Sequence, residues 1–255
     1  MNRRILVAGL AVAVLAVAGF GAWYTFIRDD SPAAVNLEDA IAAASSATAA
    51  ATAAEGATGA DPASSATPLD AVTSADVATP GTWNVVGGGL SFVGYRVEEE
   101  LASVGATTAV GRTEAVTGSL EFDGTAISAV NIEADVTQLE SDDSRRDRQL
   151  QRQAIETNQF PTATFVLTSP IAVDEAPAEG STLSATVQGD LTIHGVTQPV
   201  ALDLEGQVVD GRLVVVGSTI VQFADFDIDP PEALAVLSVG DEAVIEMQLV
   251  FERAS

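Results

Sequence analysis

The chain holds one histidine, His194, and no cysteine. Thiol nucleophiles, cysteine-based zinc sites and two-histidine metal sites are therefore excluded. His194 stands beside Gly195 where an alternating run ends, and it reads as a solvated turn residue. A Ser-His-Asp triad would need partners that no nucleophile-elbow motif supplies. Asp225, Asp227 and Asp229 alternate with Phe226 and Ile228. Spaced carboxylates can hold Ca²⁺, but the glycine and distal glutamate of an EF-hand loop are missing. These three read as a solvated face, and Asp142 and Asp143 as helix-start residues. No catalytic residue, metal site or cofactor is assigned, and the chain is read as a non-enzyme.

Arginine is the other group with chemical reach. Residues 83–255 contain 8 arginines, and Arg145, Arg146, Arg148 and Arg152 lie within one short stretch. The plain reading is a helix surface that pairs with nearby acids. The setting is strongly acidic: 36 Asp plus Glu against 11 Lys plus Arg, for a formal charge of −25. Such a charge favours solubility and repels nucleic acid and anionic lipid head groups, so no nucleic-acid partner is expected.

The elements that must position these residues fall into three parts. Residues 1–28 read as a signal-anchor transmembrane segment. Ile5 to Ile27 is uncharged over 23 residues, about 34 Å as a helix. Two arginines precede it, and Trp23 and Tyr24 sit near its outer end, which places the remainder outside the cytoplasm. Ala16-Val17-Ala18 before Gly19 offers a signal-cleavage alternative, with secretion in place of a single-pass anchor in the cell membrane. Residues 29–81 read as a disordered, acidic linker rich in Ala, Ser, Thr and Pro, with flickering helix over Leu37 to Ala54.

Residues 82–255 read as all-β. Val187, Leu191 and Ile193 face one way, against Gln188, Asp190, Thr192 and His194. Leu202 and Leu204 oppose Asp203 and Glu205, and Ile245 to Leu249 repeats the scheme. Eight strands are expected near 90–97, 115–122, 127–136, 163–169, 183–194, 198–208, 212–223 and 243–252. Asp210-Gly211 marks the clearest hairpin, and Ser141 to Glu156 reads as the one helix, capped by Ser141 or Asp142. Eight antiparallel strands with one apolar face can close into a barrel, filled by its own side chains or holding one small ligand. A two-sheet sandwich has the same alternation.

Two stretches carry a family resemblance. One is Arg146-Asp147-Arg148-Gln149-Leu150, followed by Phe160-Pro161-Thr162-Ala163-Thr164-Phe165. The other is Gly189-Asp190-Leu191-Thr192-Ile193-His194-Gly195-Val196-Thr197-Gln198-Pro199-Val200. With Trp83, Ser91-Phe92-Val93-Gly94-Tyr95 and Val116-Thr117-Gly118 in the same order, the chain resembles the YceI family of polyisoprenoid-binding, lipocalin-like proteins. Gln149 stands where that family usually has histidine. The resemblance implies an extended eight-stranded antiparallel lipocalin-like barrel with one short helix. It also implies an apolar tunnel for an isoprenoid lipid such as a quinone tail or polyprenyl chain.

The tunnel wall is then expected from the apolar strand faces: Val93, Tyr95, Val97, Leu120, Phe122, Phe165, Leu167, Leu191, Ile193 and Phe223. Arg145, Arg146 and Arg148 become head-group candidates at a mouth, where the acidity of the domain favours a neutral, quinone-like head over a pyrophosphate. The function implied is a membrane-tethered extracytoplasmic protein that sequesters or carries such a lipid. The alternative is an extracytoplasmic stress-response or interaction module with a self-filled barrel. A homodimer is left open.

Overall fold

The computed structural model describes residues 31–56, 80–102, 105–173, 179–230 and 236–254. The proposed transmembrane segment, 1–28, lies outside the described residues. Among the described residues no helix is long and apolar enough to cross a membrane.

The strands are β1 (Gly81–Val85), β2 (Phe92–Leu101), β3 (Gly105–Thr113), β4 (Val116–Phe122), β5 (Ala126–Asp135), β6 (Glu140–Ser141), β7 (Thr162–Leu167), β8 (Ile171–Ala172), β9 (Thr182–Ile193), β10 (Val196–Val209), β11 (Arg212–Gln222), β12 (Val236–Val239) and β13 (Glu242–Arg253). Among the described residues the α-helices are α1 (Leu37–Gly56) and α2 (Ser144–Gln149). All strand pairings are antiparallel.

The eight-stranded ring runs β1-β4-β5-β7-β9-β10-β11-β13 and closes because β1 pairs with both β4 and β13. Trp83 stands opposite Leu120 on one side and Arg253 on the other. Closure decides for the barrel over the sandwich and removes the edges of the ring. The β2–β3 hairpin leaves this ring along the first half of β13, from Gln248 to Val244. Beyond β3, among the described residues, only the two-residue β6 follows. One end is thus closed by β1, while the other is walled by β2, β3 and the chain that follows β6.

Local chemistry explains the register. His194 and Gly195 have φ of 53° and 73°, and Asp210 and Gly211 have 51° and 73°. Two successive positive φ values form the two-residue turn whose twist matches a hairpin. Ile193 therefore faces Val196, and Val209 faces Arg212. With period two, these turns decide which side chains point inward all along β9, β10 and β11.

Several expectations need correction. β1 and β3 were not among the eight anticipated strands. β1 is short, and the small residues Gly105-Ala106-Thr107-Thr108-Ala109 give β3 little apolar signal. The helix is shorter than Ser141 to Glu156, and its cap is Asp143, whose carboxylate accepts from the Arg145 amide at 2.7 Å. Ser141 instead bonds the Asp147 carboxylate through its hydroxyl at 2.6 Å and its amide at 3.0 Å.

The largest correction falls within the stretch read as linker. α1 is a 20-residue helix laid against the outside of the barrel. Its Leu37, Ala40 and Ala44 are buried against Val214, Val216 and Val250. The Asn36 side chain caps it, accepting from the Asp39 amide at 2.9 Å. Ahead of it, Arg96 donates to the Pro32 carbonyl at 2.7 Å and Arg112 to the Ala33 carbonyl at 2.9 Å. The Ser31 hydroxyl bonds the Thr108 carbonyl. Small side chains let a helix approach a sheet closely, so an alanine-rich segment finds the burial here that it lacks alone.

Candidate functional site

The inward faces of the strands form one large apolar cluster. At the end closed by β1 it is solid: Trp83, Leu120, Phe122, Val208, Leu249 and Phe251 are all buried there. Toward the other end the cluster opens around a cavity of about 750 Å³. That volume lies in the range of small-molecule sites.

Of the ten residues expected on the tunnel wall, seven line this cavity: Val93, Tyr95, Val97, Phe165, Leu191, Ile193 and Phe223. Leu120, Phe122 and Leu167 do not. They point inward as expected but belong to the packed half, because β1 brings Trp83 across that end. Sequence periodicity identifies the inner face but carries no information about how far along it the interior is filled.

The wall depends on two close approaches. A Cβ on Gly111 would lie 2.5 Å from the Tyr95 ring, and one on Gly189 would lie 2.2 Å from the Phe165 ring. Each aromatic ring therefore lies across a glycine of the adjacent strand, flat against the wall.

The opening is built by α2 and by the single π turn, Leu150–Ala154, that continues it. Its closing bond runs from the Ile155 amide to the Leu150 carbonyl at 3.0 Å, and Ala154 and Ile155 are buried against the core. Arg145, Arg146 and Arg148 all line the cavity, joined by Gln149 and Arg152. Their roles differ. Arg146 pairs with Asp142 and, at 3.4 Å, with Glu99. Burial opposes its charge, but Glu99 and Asp142 outweigh that effect and hold its pKa above the ordinary value. Arg148 reaches the Ser144 hydroxyl at 3.3 Å, and Arg152 reaches the Arg148 carbonyl at 3.0 Å. Arg145, Arg148 and Arg152 have no acidic partner within salt-bridge distance among the described residues. A helix face fully paired with acids therefore describes only Arg146.

His194 also departs from expectation. It is not a solvated turn residue: its side chain is 13% exposed and lines the cavity. Nδ1 lies 3.2 Å from the Phe226 carbonyl and Nε2 lies 3.2 Å from a Glu156 oxygen. Phe160 meets the ring edge-on at 4.7 Å. The turn puts His194 at the rim, where the segment after α2 folds over it. Asp225, Asp227 and Asp229 lie in and just after a short 3₁₀ turn, Phe223–Phe226, with Asp227 at φ 54°. No group of three or more metal-ligating side chains occurs among the described residues.

Tyr95 is expected as an apolar wall residue, yet its hydroxyl is the one buried side-chain nitrogen or oxygen without a hydrogen-bond partner among the described residues. Burial pushes its phenol pKa up, and Arg146 offsets that only in part. The hydroxyl therefore keeps its proton.

A YceI-like domain profile matches residues 89–251. The chain belongs to the YceI-like family. A UPF0312 protein of Vibrio parahaemolyticus is 32% identical over 151 residues, covering 56% of this chain and 72% of the relative. Protein YceI of Shigella flexneri is 30% identical over 116 residues, covering 44% of this chain and 54% of its own length. Among solved structures, a polyisoprenoid binding domain from Saccharophagus degradans, implicated in plant cell wall breakdown, superimposes with a TM-score of 0.54. It shares 16% identity and covers 68% of this chain and 98% of its own, a likeness of fold. The outer helix α1 and the closing strand β1 lie ahead of the matched region.

Proposed function

We propose that this YceI-like protein sequesters or carries a long isoprenoid lipid in its barrel, outside the cytoplasm, tethered to the membrane by its N-terminal segment. The observation that carries this reading is the cavity of about 750 Å³ with apolar walls and a polar, arginine-bearing opening at one end. The name given to the Saccharophagus relative, a polyisoprenoid binding domain, agrees with it.

The physics supports a sleeve for such a lipid. Each buried CH₂ contributes about 0.8 kcal/mol, so a long chain gains far more by entering an apolar cavity than a short one. The tail would run inward along Phe165, Leu191 and Leu202, and the packed end around Trp83 would stop it. A quinone-like head would remain near α2. Release at a bilayer needs no chemistry, and a tether would keep the opening within reach of the membrane.

The test compares organic extracts of the purified full-length protein and of an Ala134→Phe variant, by mass spectrometry. Ala134 is buried on the cavity wall, so phenylalanine there takes up space that the lipid would occupy. The variant is used only if its circular dichroism matches the parent. A prenyl lipid near one per chain in the parent and depleted in the variant supports the reading. Equal amounts in both, or no binding of added quinone or polyprenol by the parent, would sink it.

A further inference from the structure

Tyr95 projects from β2 onto the cavity wall, directly opposite Gly111 on β3. The residue is 9% exposed, and its hydroxyl finds no acceptor among the described residues. A buried hydroxyl left without a partner is destabilising, and such groups are rare in folded proteins. Phenylalanine would fill the same space over Gly111 without that penalty. The ring is needed for packing; the oxygen is not. An acceptor presented by a ligand would remove the anomaly.

The neighbourhood says what kind of acceptor. The charges of Arg146, Asp147, Glu99 and Asp142 all act on this phenol. Glu99 and Asp142 already pair with Arg146. Glu99, whose side chain is only 10% exposed, is the buried carboxylate here and already holds Arg146, so a full negative charge on the ligand would compete with it for that cation. The three arginines without acidic partners belong to α2 and the π turn, at the opening. The wall toward the interior is apolar, so the remainder of such a ligand is hydrocarbon.

From this arrangement we infer that the Tyr95 hydroxyl donates a hydrogen bond to an uncharged oxygen, such as the carbonyl of a quinone, ketone or amide, on the head of the lipid held in the cavity. This rests on the carrier reading above and adds to it a selectivity device. The head is caught beneath α2, on the β2 wall, with its acceptor turned toward Tyr95. The tail continues past Phe165 and Leu191. Tyr95 thereby distinguishes a lipid with a carbonyl head from a plain hydrocarbon of similar length.

The experiment uses the delipidated full-length protein and its Tyr95→Phe variant. Three probes are titrated calorimetrically: a short-tailed ubiquinone, squalene and geranylgeranyl diphosphate. The substitution should weaken the ubiquinone about tenfold, the scale of one buried hydrogen bond plus the relief of an unsatisfied donor. Squalene affinity should stay unchanged. The infrared carbonyl stretch of the bound quinone should be lowered in the parent and should return toward its free value in the variant, which a packing role alone would not produce. Equal quinone affinity and an unchanged carbonyl frequency would overturn the inference and leave the carrier reading standing. Tighter binding of the diphosphate than of the quinone would overturn the assignment to an uncharged head. If the parent binds none of the three, the inference and the carrier reading fall together.

Discussion

Glu246 projects from the outer face of β13, and its side chain is 1% exposed. Arg112 meets it at 2.7 Å and Arg96 at 3.8 Å, and the Val35 amide points at its second oxygen at 3.4 Å. Removing one partner of a buried ion pair typically destabilises by about 3–5 kcal/mol, because the other charge is left unpaired. The two arginines are unlike the carboxylate: their side chains are 18% and 28% exposed and can turn toward water. Glu246→Ala should therefore fall at or below the lower end, about 2–3 kcal/mol.

Arg112→Ala should destabilise more, about 4 kcal/mol. It strands the carboxylate with one distant arginine, and it also removes the Ala33 contact and the guanidinium stacked 4.4 Å from the Phe92 ring centre. Urea unfolding measures both single variants and the double variant. Amide exchange at Val35 and Ala40 should quicken in each, since this pair ties the start of α1 to the barrel. The reasoning is refuted if Glu246→Ala is the more damaging change, or if both variants unfold within 1 kcal/mol of the parent with Val35 protection unchanged.

Ala40→Glu should undock α1, because Ala40 is fully buried between the helix and the barrel wall; the expected loss is about 2–3 kcal/mol, with stronger binding of a hydrophobic dye as Val214, Val216 and Val250 become wet. Gly189→Ala should destabilise by about 1–3 kcal/mol and reduce quinone binding, because the new Cβ would lie 2.2 Å from the Phe165 ring on the cavity wall. Asp135 accepts bonds from Thr137 and Gln138, which hold its carboxyl below the ordinary carboxylate range. A depressed folded pKa means that its contribution is complete above the unfolded value of about 3.9 and is lost as pH falls through the lower folded value. An acid titration followed by circular dichroism should show this loss below pH 4 in the parent, and less of it in Asp135→Asn.

Much of the barrel was legible in the sequence because two physical signals are local. Alternation along β9, β10 and β13 assigns inner and outer faces, and His194-Gly195 and Asp210-Gly211 demand the turns that hold the strands in register. The helix after β6 was readable too, apart from its cap and its length. β3 was missed because its inward side chains are small. The docking of α1 had a signal of its own. Leu213-Val214-Val215-Val216 and Leu249-Val250-Phe251 are apolar on both faces, the mark of a strand covered on both sides. Nothing in the alanine-rich stretch itself says that it supplies the second cover.

By itself the sequence determined the all-β character, the inner face, the acidic surface and the family resemblance, because each depends on residue type and on spacing within a strand or a turn. Only the tertiary structure decided where the interior is empty. Leu120, Phe122 and Leu167 have the same inward pattern as Val93, Phe165 and Leu191, but Trp83, brought across from β1, lies among the side chains that fill their end. Only the tertiary structure separated Arg146, held by Glu99 and Asp142, from the arginines beside it, and placed His194 at the rim. It alone left the Tyr95 hydroxyl buried at the cavity wall without an acceptor. Whether a buried polar atom is satisfied depends on groups from several strands meeting at one point, and no local pattern along the chain encodes that.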